Sequence, residues 1–144
     1  MKIRIYYDNI KYRIRRTGEL KKFLEKVIKG ENFIPGDLIF ILTGEESMLE
    51  INRKFLNHDY HTDVISFKWS EDKIIDGEVY LGFETICRNA SLYGTGIREE
   101  LIRVMIHGTL HLCGYKDSNI REKEVMRREE DKWLKKAESG ELWN

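Results

Sequence analysis

Two histidines stand four residues apart in the segment HGTLHLCGYKD, as His107 and His111. In a helix, this spacing projects both imidazoles from one face, about 6 Å apart along the axis, where they can bind one metal ion. Asp117 is the natural third ligand. Gly114 tolerates a left-handed backbone, so the chain can leave the helix there and return a carboxylate toward the histidines. The segment therefore predicts a metal site formed by His107, His111 and Asp117.

Three protein ligands would leave one coordination position open to water. A structural zinc site needs a fourth protein ligand, but Cys113 lies two residues from His111 and so on nearly the opposite face of a helix. An open site lowers the pKa of bound water toward about 7 and so predicts hydrolysis. We expect one divalent ion, zinc in the first place, although nickel and other ions accept similar ligands. The alternative is a pair of structural histidines with this spacing by chance.

Helical zinc peptidases carry a glutamate directly after the first histidine as general base. Gly108 occupies that position here. The missing proton acceptor disfavours peptide hydrolysis and favours cleavage of a phosphodiester bond.

The elements that must position these residues follow from periodicity and turn signals. Strands are predicted over residues 2–7, 38–43, 64–69 and 78–83. Helices are predicted over 21–29, from 45, near 86–93, over 98–113 and over 121–137. The first two are predicted to be amphipathic, with these apolar residues at helical spacing: Leu20, Phe23, Leu24, Val27 and Ile28 in the first, and Met48, Leu49, Ile51 and Phe55 in the second. Pro35 and Gly36 predict a turn, and Asp76 and Gly77 predict the tight turn of a hairpin. Strands mixed with helices indicate an α+β fold with one sheet, and 144 residues predict a single domain over 1–144.

The composition restricts location and partners. No apolar run approaches the roughly 20 residues of a membrane helix, and no export signal is visible, so we expect a cytoplasmic protein without membrane contact. The two cysteines fit a reducing compartment. Lys plus Arg and Asp plus Glu number 25 each, so any nucleic-acid surface must be a local patch.

Three ordered blocks resemble the YbeY endoribonucleases, and together they span about half of the chain: INRKFLNHDYHTDVISF, GEVYL and HGTLHLCGYKD. The resemblance implies a metal-dependent, single-strand-specific endoribonuclease acting in ribosomal RNA maturation, notably at the small-subunit 3′ end, and in ribosome quality control. Its implied partners are ribosomal RNA and the small ribosomal subunit, with no DNA expected. It also implies a mixed sheet, here of about four strands with about five helices, and a metal site on a central helix and the loop after it.

Residue by residue, the resemblance assigns the first two metal histidines to His107 and His111. The family's usual third histidine falls on Asp117, and an arginine that assists catalysis in the family is replaced by Leu56. A metallopeptidase-like hydrolase and a non-catalytic ribosome-assembly factor that retains a metal therefore stay open as alternatives. Four polar residues match the family block and either organise the loop beside the metal, contact RNA or form an ordinary polar turn: Asp59, Thr62, Asp63 and Ser66.

Two basic regions could contact RNA. The N-terminal region lacks interleaved acidic residues, so we predict that Arg13, Arg15 and Arg16 contact the substrate. The last helix carries basic residues too, but glutamates alternate with them, so we interpret that helix as solvated and laced by charge pairs. The basic residues are Arg121, Lys123, Arg127 and Arg128, and the glutamates are Glu122, Glu124, Glu129 and Glu130. His58 and His61 are interpreted as surface residues.

Overall fold

The computed structural model describes residues 2–57 and 62–139, and everything below refers to these residues. The elements follow in the order β1 (Ile3–Tyr7), α1 (Thr17–Gly30), β2 (Ile34–Thr43), α2 (Glu45–Leu56), β3 (Val64–Lys68), β4 (Ile74–Gly82), α3 (Phe83–Tyr93), α4 (Ile97–Leu112) and α5 (Ile120–Ser139). The described part of the chain is thus an α+β fold of four strands and five helices, as predicted.

The four strands form one mixed sheet in the order β1-β2-β4-β3. β1 and β4 flank β2 in parallel, and Phe40 of β2 pairs with Ile5 on one side and Val79 on the other. β3 runs antiparallel to β4 at the edge. Parallel neighbours on both sides explain the unbroken apolar run of β2, because helices can cover both faces of such a strand.

Two predicted turns are wrong. Pro35 and Gly36 lie inside β2, where the pairing with β4 shifts register between Pro35 and Leu38. Asp76 and Gly77 lie inside β4, and the β3–β4 connection runs through residues 69–73. Gly77 does have a positive φ of 146°. The glycine is required inside strand β4 and not in a turn, because a Cβ at this position would collide with the Phe67 carbonyl oxygen of β3.

α4 is the central helix of the fold. It contacts α1, α3, α5, β3 and β4. Ten of its 16 residues are buried, so it is covered on most sides and not along one stripe only. The helix ends before Gly114, whose φ of 102° is the positive backbone angle predicted for the return of the chain. The loop that follows carries Asp117.

The amphipathic helices differ in how well their apolar faces were predicted. The predicted face of α1 is buried in full, from Leu20 to Ile28. In α2 only Met48 of the predicted apolar residues is buried, and Phe55 is 61% exposed. None of the described helices is long and apolar enough to cross a bilayer.

Candidate metal centre

A cavity of about 820 Å³ opens between the edge strand β3 and the helices α2, α3, α4 and α5. Six of the residues predicted for the site line it: Thr62, Asp63, Ser66, His107, His111 and Asp117. These residues come from two segments separated by about 40 positions. The fold therefore brings together the histidine segment and most of the polar block before β3.

His107 lies between two carboxylates. Its Nδ1 is 2.6 Å from Glu130 Oε2, and its Nε2 is 3.2 Å from Asp117 Oδ2. An ionised carboxylate can only accept a hydrogen bond, so the Nδ1–H of His107 donates to Glu130. This hydrogen bond holds the ring and leaves Nε2 directed toward Asp117. Carboxylate support of this kind is usual for metal-binding histidines.

Glu130 is itself held in place. Its side chain is only 8% exposed, and Arg103 Nη1 donates to its second oxygen, Oε1, at 3.0 Å. Arg103 Nη2 donates in turn to Asp131 Oδ1 at 3.0 Å. The guanidinium thus bridges α4 and α5, and it balances a carboxylate that would be costly to bury alone. The orientation of His107 therefore depends on a hydrogen-bond chain that joins the two helices.

His111 is exposed and is oriented by the backbone. Its Nδ1 is 3.1 Å from the carbonyl oxygen of Tyr115, which accepts the Nδ1–H. The amide of Tyr115 donates back to the Leu110 carbonyl at 3.1 Å, which closes the end of α4. Nε2 of His111 is thereby left as the ligand atom. In both histidines a neighbouring oxygen accepts the Nδ1–H, so Nε2 is the nitrogen that can bind a metal.

The arrangement fits a divalent ion in part. Two ligands of a tetrahedral zinc ion, each about 2.0 to 2.2 Å from it, are separated by roughly 3.3 Å, and His107 Nε2 lies 3.2 Å from Asp117 Oδ2. Among the described residues, no group of three His, Cys, Asp or Glu side chains forms a complete preformed ion site. The structure thus provides a converged His107–Asp117 pair with His111 on the same cavity.

The charges of the cavity favour a cation. Burial alone would lower the pKa of His107, but Glu130, Asp117 and Asp63 raise it above its usual value. Burial raises the pKa of Asp63, and the charge of Glu130 raises it further. Burial, together with Asp63, also raises the pKa of Glu100. These carboxylates repel one another, so positive charge near His107 stabilises them.

The residues and their order match a known group of proteins. The profile described as Endoribonuclease YbeY matches residues 6–138. The chain belongs to the YbeY family. The Endoribonuclease YbeY of Flavobacterium psychrophilum is 41% identical over 126 residues, covering 88% of this chain and 90% of that protein. That of Cytophaga hutchinsonii is 39% identical over 127 residues, covering 88% and 89%.

A solved structure resembles the fold of this YbeY chain. The solution structure of the Thermotoga maritima protein TM1509 has a TM-score of 0.66 and 28% identity, covering 99% of this chain and 96% of the other. The predicted fold class and the predicted family are therefore confirmed. The family is one of metal-dependent endoribonucleases.

Gly108, between the two histidines of the YbeY segment, faces the sheet. A Cβ built there would lie 2.7 Å from Val79 Cγ1 and 3.2 Å from Ser66 Oγ. Ser66 Oγ donates to the Gly108 carbonyl at 3.3 Å. A glutamate at this position would meet β3 and β4 rather than enter the cavity. The structure thus gives a packing reason why the peptidase arrangement does not fit this helix.

The polar block before β3 has mixed roles. Asp63 accepts a bond from Asn89 Nδ2 at 3.4 Å, and its carbonyl accepts the Gly82 amide at 2.9 Å. Thr62 Oγ1 donates to the Val64 carbonyl at 3.4 Å. The block therefore holds the loop beside the cavity, as one of its predicted roles requires. Three residues of the sequence analysis lie outside the described residues: His58, Asp59 and His61.

The N-terminal arginines are placed elsewhere. None of the three lines the cavity. Arg13 stacks over the Tyr7 ring and donates to the carbonyls of Ile10 and Tyr12. Arg15 accepts a bond from Arg98 through its carbonyl, and Arg16 has a left-handed backbone before α1. Their contact with RNA stays a prediction that the cavity geometry does not support.

The contribution of α5 to the site was not predicted from the sequence. Glu130 was interpreted as one member of a solvated charge pattern, yet it is buried and contacts His107. A signal was present, because Glu130 falls on the same helical stripe as the buried Met126, Trp133 and Ala137. A carboxylate on the apolar face of an amphipathic helix indicates a buried partner.

Proposed function

We propose that this protein is a metal-dependent endoribonuclease that cleaves single-stranded RNA. The observation that carries the proposal is the pair of histidines on one cavity, each oriented through Nδ1 by a neighbouring oxygen, with Asp117 3.2 Å from His107 Nε2. Membership of the YbeY family supports RNA as the substrate. The cavity, about 820 Å³, is large enough to admit an unpaired nucleotide.

His107, His111 and Asp117 are proposed to hold the ion, with zinc as the first choice because the donor set is two nitrogens and one carboxylate oxygen. A bound ion would supply Lewis-acid activation of water and of the scissile phosphate. Glu130 and the Tyr115 carbonyl keep the two rings oriented.

The biological substrate is proposed from the family. We place the activity in maturation of ribosomal RNA, at the 3′ end of the small-subunit RNA, and in ribosome quality control. The small ribosomal subunit is the proposed partner, and the cytoplasm is the proposed compartment. Organisation of residues 1–144 as a single domain belongs to the same proposal.

The test is cleavage of precursor small-subunit RNA by metal-quantified protein, compared with His111→Ala. His111 is exposed, so this variant is expected to fold. We expect loss of the bound metal and at least a hundredfold loss of cleavage. A matched control is Arg128→Gln, an exposed position on α5 away from the cavity.

The outcomes separate the alternatives. Cleavage that persists in metal-free His111→Ala protein would rule out the metal-dependent mechanism. Metal binding without RNA cleavage, even on assembled subunits, would instead indicate an assembly factor. Cleavage of peptides by the metal-loaded protein would favour the peptidase-like alternative, which the packing of Gly108 against Val79 disfavours.

A further inference from the structure

The cavity has an apolar residue where the family resemblance implies a catalytic arginine. Leu56, at the end of α2, lines the cavity and is 40% exposed. The sequence position therefore does face the site, but it carries no charge. Among the described residues, the arginine and lysine side chains on the cavity are Arg103, Lys123 and Arg127. Arg103 is engaged with Glu130 and Asp131, so two cations remain to be explained.

Lys123 and Arg127 lie on one stripe of α5. The residues of α5 that line the cavity are Lys123, Met126, Arg127 and Glu130. Their spacing of three, four and seven residues is that of a single helix face. Glu130 contacts His107 and so sets the register of this face against the metal ligands. Arg127 lies roughly 4.5 Å and Lys123 roughly 10 Å along the axis from it.

Neither cation is committed to a partner within the part of the chain that the structure describes. Lys123 Nζ and the Arg127 guanidinium have no hydrogen bond or ion pair to the described residues, and both side chains are exposed. Arg127 acts on Glu100 only through its charge. The charge pairs with neighbouring glutamates that were predicted for this helix are therefore absent at Lys123 and Arg127 among the described residues, although both side chains are solvent-exposed as predicted.

We propose that Lys123 and Arg127 bind the phosphates of the RNA strand that enters the cavity and hold it against the metal ligands. The inference deepens the proposed function and rests on it. A guanidinium can bind a phosphate through two donors, whereas an ammonium acts as a point charge, so Arg127 is the more directional of the two. The pair supplies from α5 the positive charge that Leu56 does not supply from α2.

The test measures binding of a fluorescent 2′-O-methyl oligouridylate to metal-loaded protein over a range of salt concentrations. Each phosphate contact to a single strand contributes about 0.7 to the slope of log affinity against log salt. We expect Lys123→Gln and Arg127→Gln each to reduce the slope by about 0.7, and the double variant by about 1.4. Arg127→Lys keeps the positive charge and should therefore retain most of the slope of the unmodified protein.

Arg128→Gln is the matched control. It removes the same charge from the adjacent exposed position of α5, but Arg128 does not line the cavity. We expect its slope to equal that of the unmodified protein. In cleavage assays the double variant should raise KM with kcat within about twofold, since a contact remote from the reacting atoms contributes to uniform binding. Unfolding midpoints should not change.

A double variant with the slope of Arg128→Gln would overturn the inference. So would a slope that falls only when Arg13, Arg15 and Arg16 are neutralised together. The proposed function fails separately: cleavage that depends on His111 with an unchanged slope removes only the role of the α5 pair. If the unmodified, metal-loaded protein neither binds the oligonucleotide nor cleaves RNA, both the proposed function and the role of the α5 pair are wrong.

Discussion

At the scale of single residues, His107 is the best-supported element of the site. Its two ring nitrogens face different carboxylates, one buried on α5 and one on the loop after α4. The buried contact with Glu130 keeps the proton on Nδ1. The contact with Asp117 lies at Nε2, the nitrogen that is available to bind a metal. His111 repeats the arrangement with a backbone carbonyl. The His107 ring is therefore held by a charged carboxylate, and the His111 ring by a neutral backbone carbonyl.

Replacing Glu130 by Gln should weaken metal binding. Loss of a carboxylate that supports a ligand histidine typically costs tenfold to a hundredfold in metal affinity. We expect a loss of that size for zinc, measured by competition with a chromogenic chelator. Glu124→Gln is the control, because Glu124 is exposed on the same helix. Equal affinities of the two variants would contradict the role assigned to Glu130.

At the scale of secondary structure, α4 must serve two surfaces at once. One side of the helix presents His107 and His111 to the cavity. Another side, at Gly108, packs on β3 and β4. The close approach is possible only without a side chain, since Val79 Cγ1 occupies the space that a Cβ would need. The distance between the helix and the sheet therefore helps to set the height of the histidines above β3.

Two glycine substitutions test this close approach. Gly108→Ala adds a methyl group 2.7 Å from Val79 Cγ1. Overpacking costs about 1 to 3 kcal/mol, against a gain of about 1 kcal/mol in helix propensity, so we expect a lower free energy of unfolding. Gly18→Ala in α1 meets no atom within 4 Å and should stabilise by up to about 1 kcal/mol. Urea unfolding measures both, and equal stabilisation by the two changes would refute the packing argument.

At the scale of the whole molecule, Glu31 joins three parts of the chain. It follows α1 directly, and its carboxylate accepts bonds from Tyr115 Oη at 2.7 Å and from Trp133 Nε1 at 2.8 Å. Tyr115 belongs to the loop that carries Asp117, and Trp133 belongs to α5. The end of α1 thus holds both segments that shape the metal centre, although Tyr115 and Trp133 lie 84 and 102 positions away from Glu31 in the chain.

Glu31 should make stability depend on pH in acid. Burial alone would raise the pKa of Glu31, but its hydrogen bonds and the charge of Lys132 lower it below the usual 4.5. A carboxyl group whose pKa is lower in the folded state stabilises the fold when ionised, and this contribution is lost as pH falls through the folded-state pKa. Glu31→Gln should therefore be less stable than the unmodified protein at pH 7, with a difference that narrows below pH 4.5.

Urea unfolding across this pH range measures the effect. Glu138→Gln, which removes a charge at an exposed position of α5, is the control and should keep the acid dependence of the unmodified protein. A constant difference between Glu31→Gln and the unmodified protein from pH 7 to pH 3 would show that the network contributes no proton linkage.

Features that depend on neighbouring residues were predictable from the amino-acid order alone. The period of the apolar residues located the buried face of α1, and the four-residue histidine spacing with Gly114 located the helix and turn of the metal centre. These patterns reflect helix geometry and backbone conformational freedom, which act over a few residues. The family blocks were visible for the same reason, because each is a continuous segment.

Contacts between side chains that are distant in sequence became visible only in the packed fold. Glu130 and His107 are 23 positions apart, and nothing local to α5 distinguishes Lys123 and Arg127 from Arg128 until the helix packs against α4. The location of Gly77 inside β4 was likewise set by pairing with β3, since the same dipeptide suits a turn. The physical reason is that burial and charge pairing belong to the packed molecule, where a charged residue's role depends on which surface its helix turns toward.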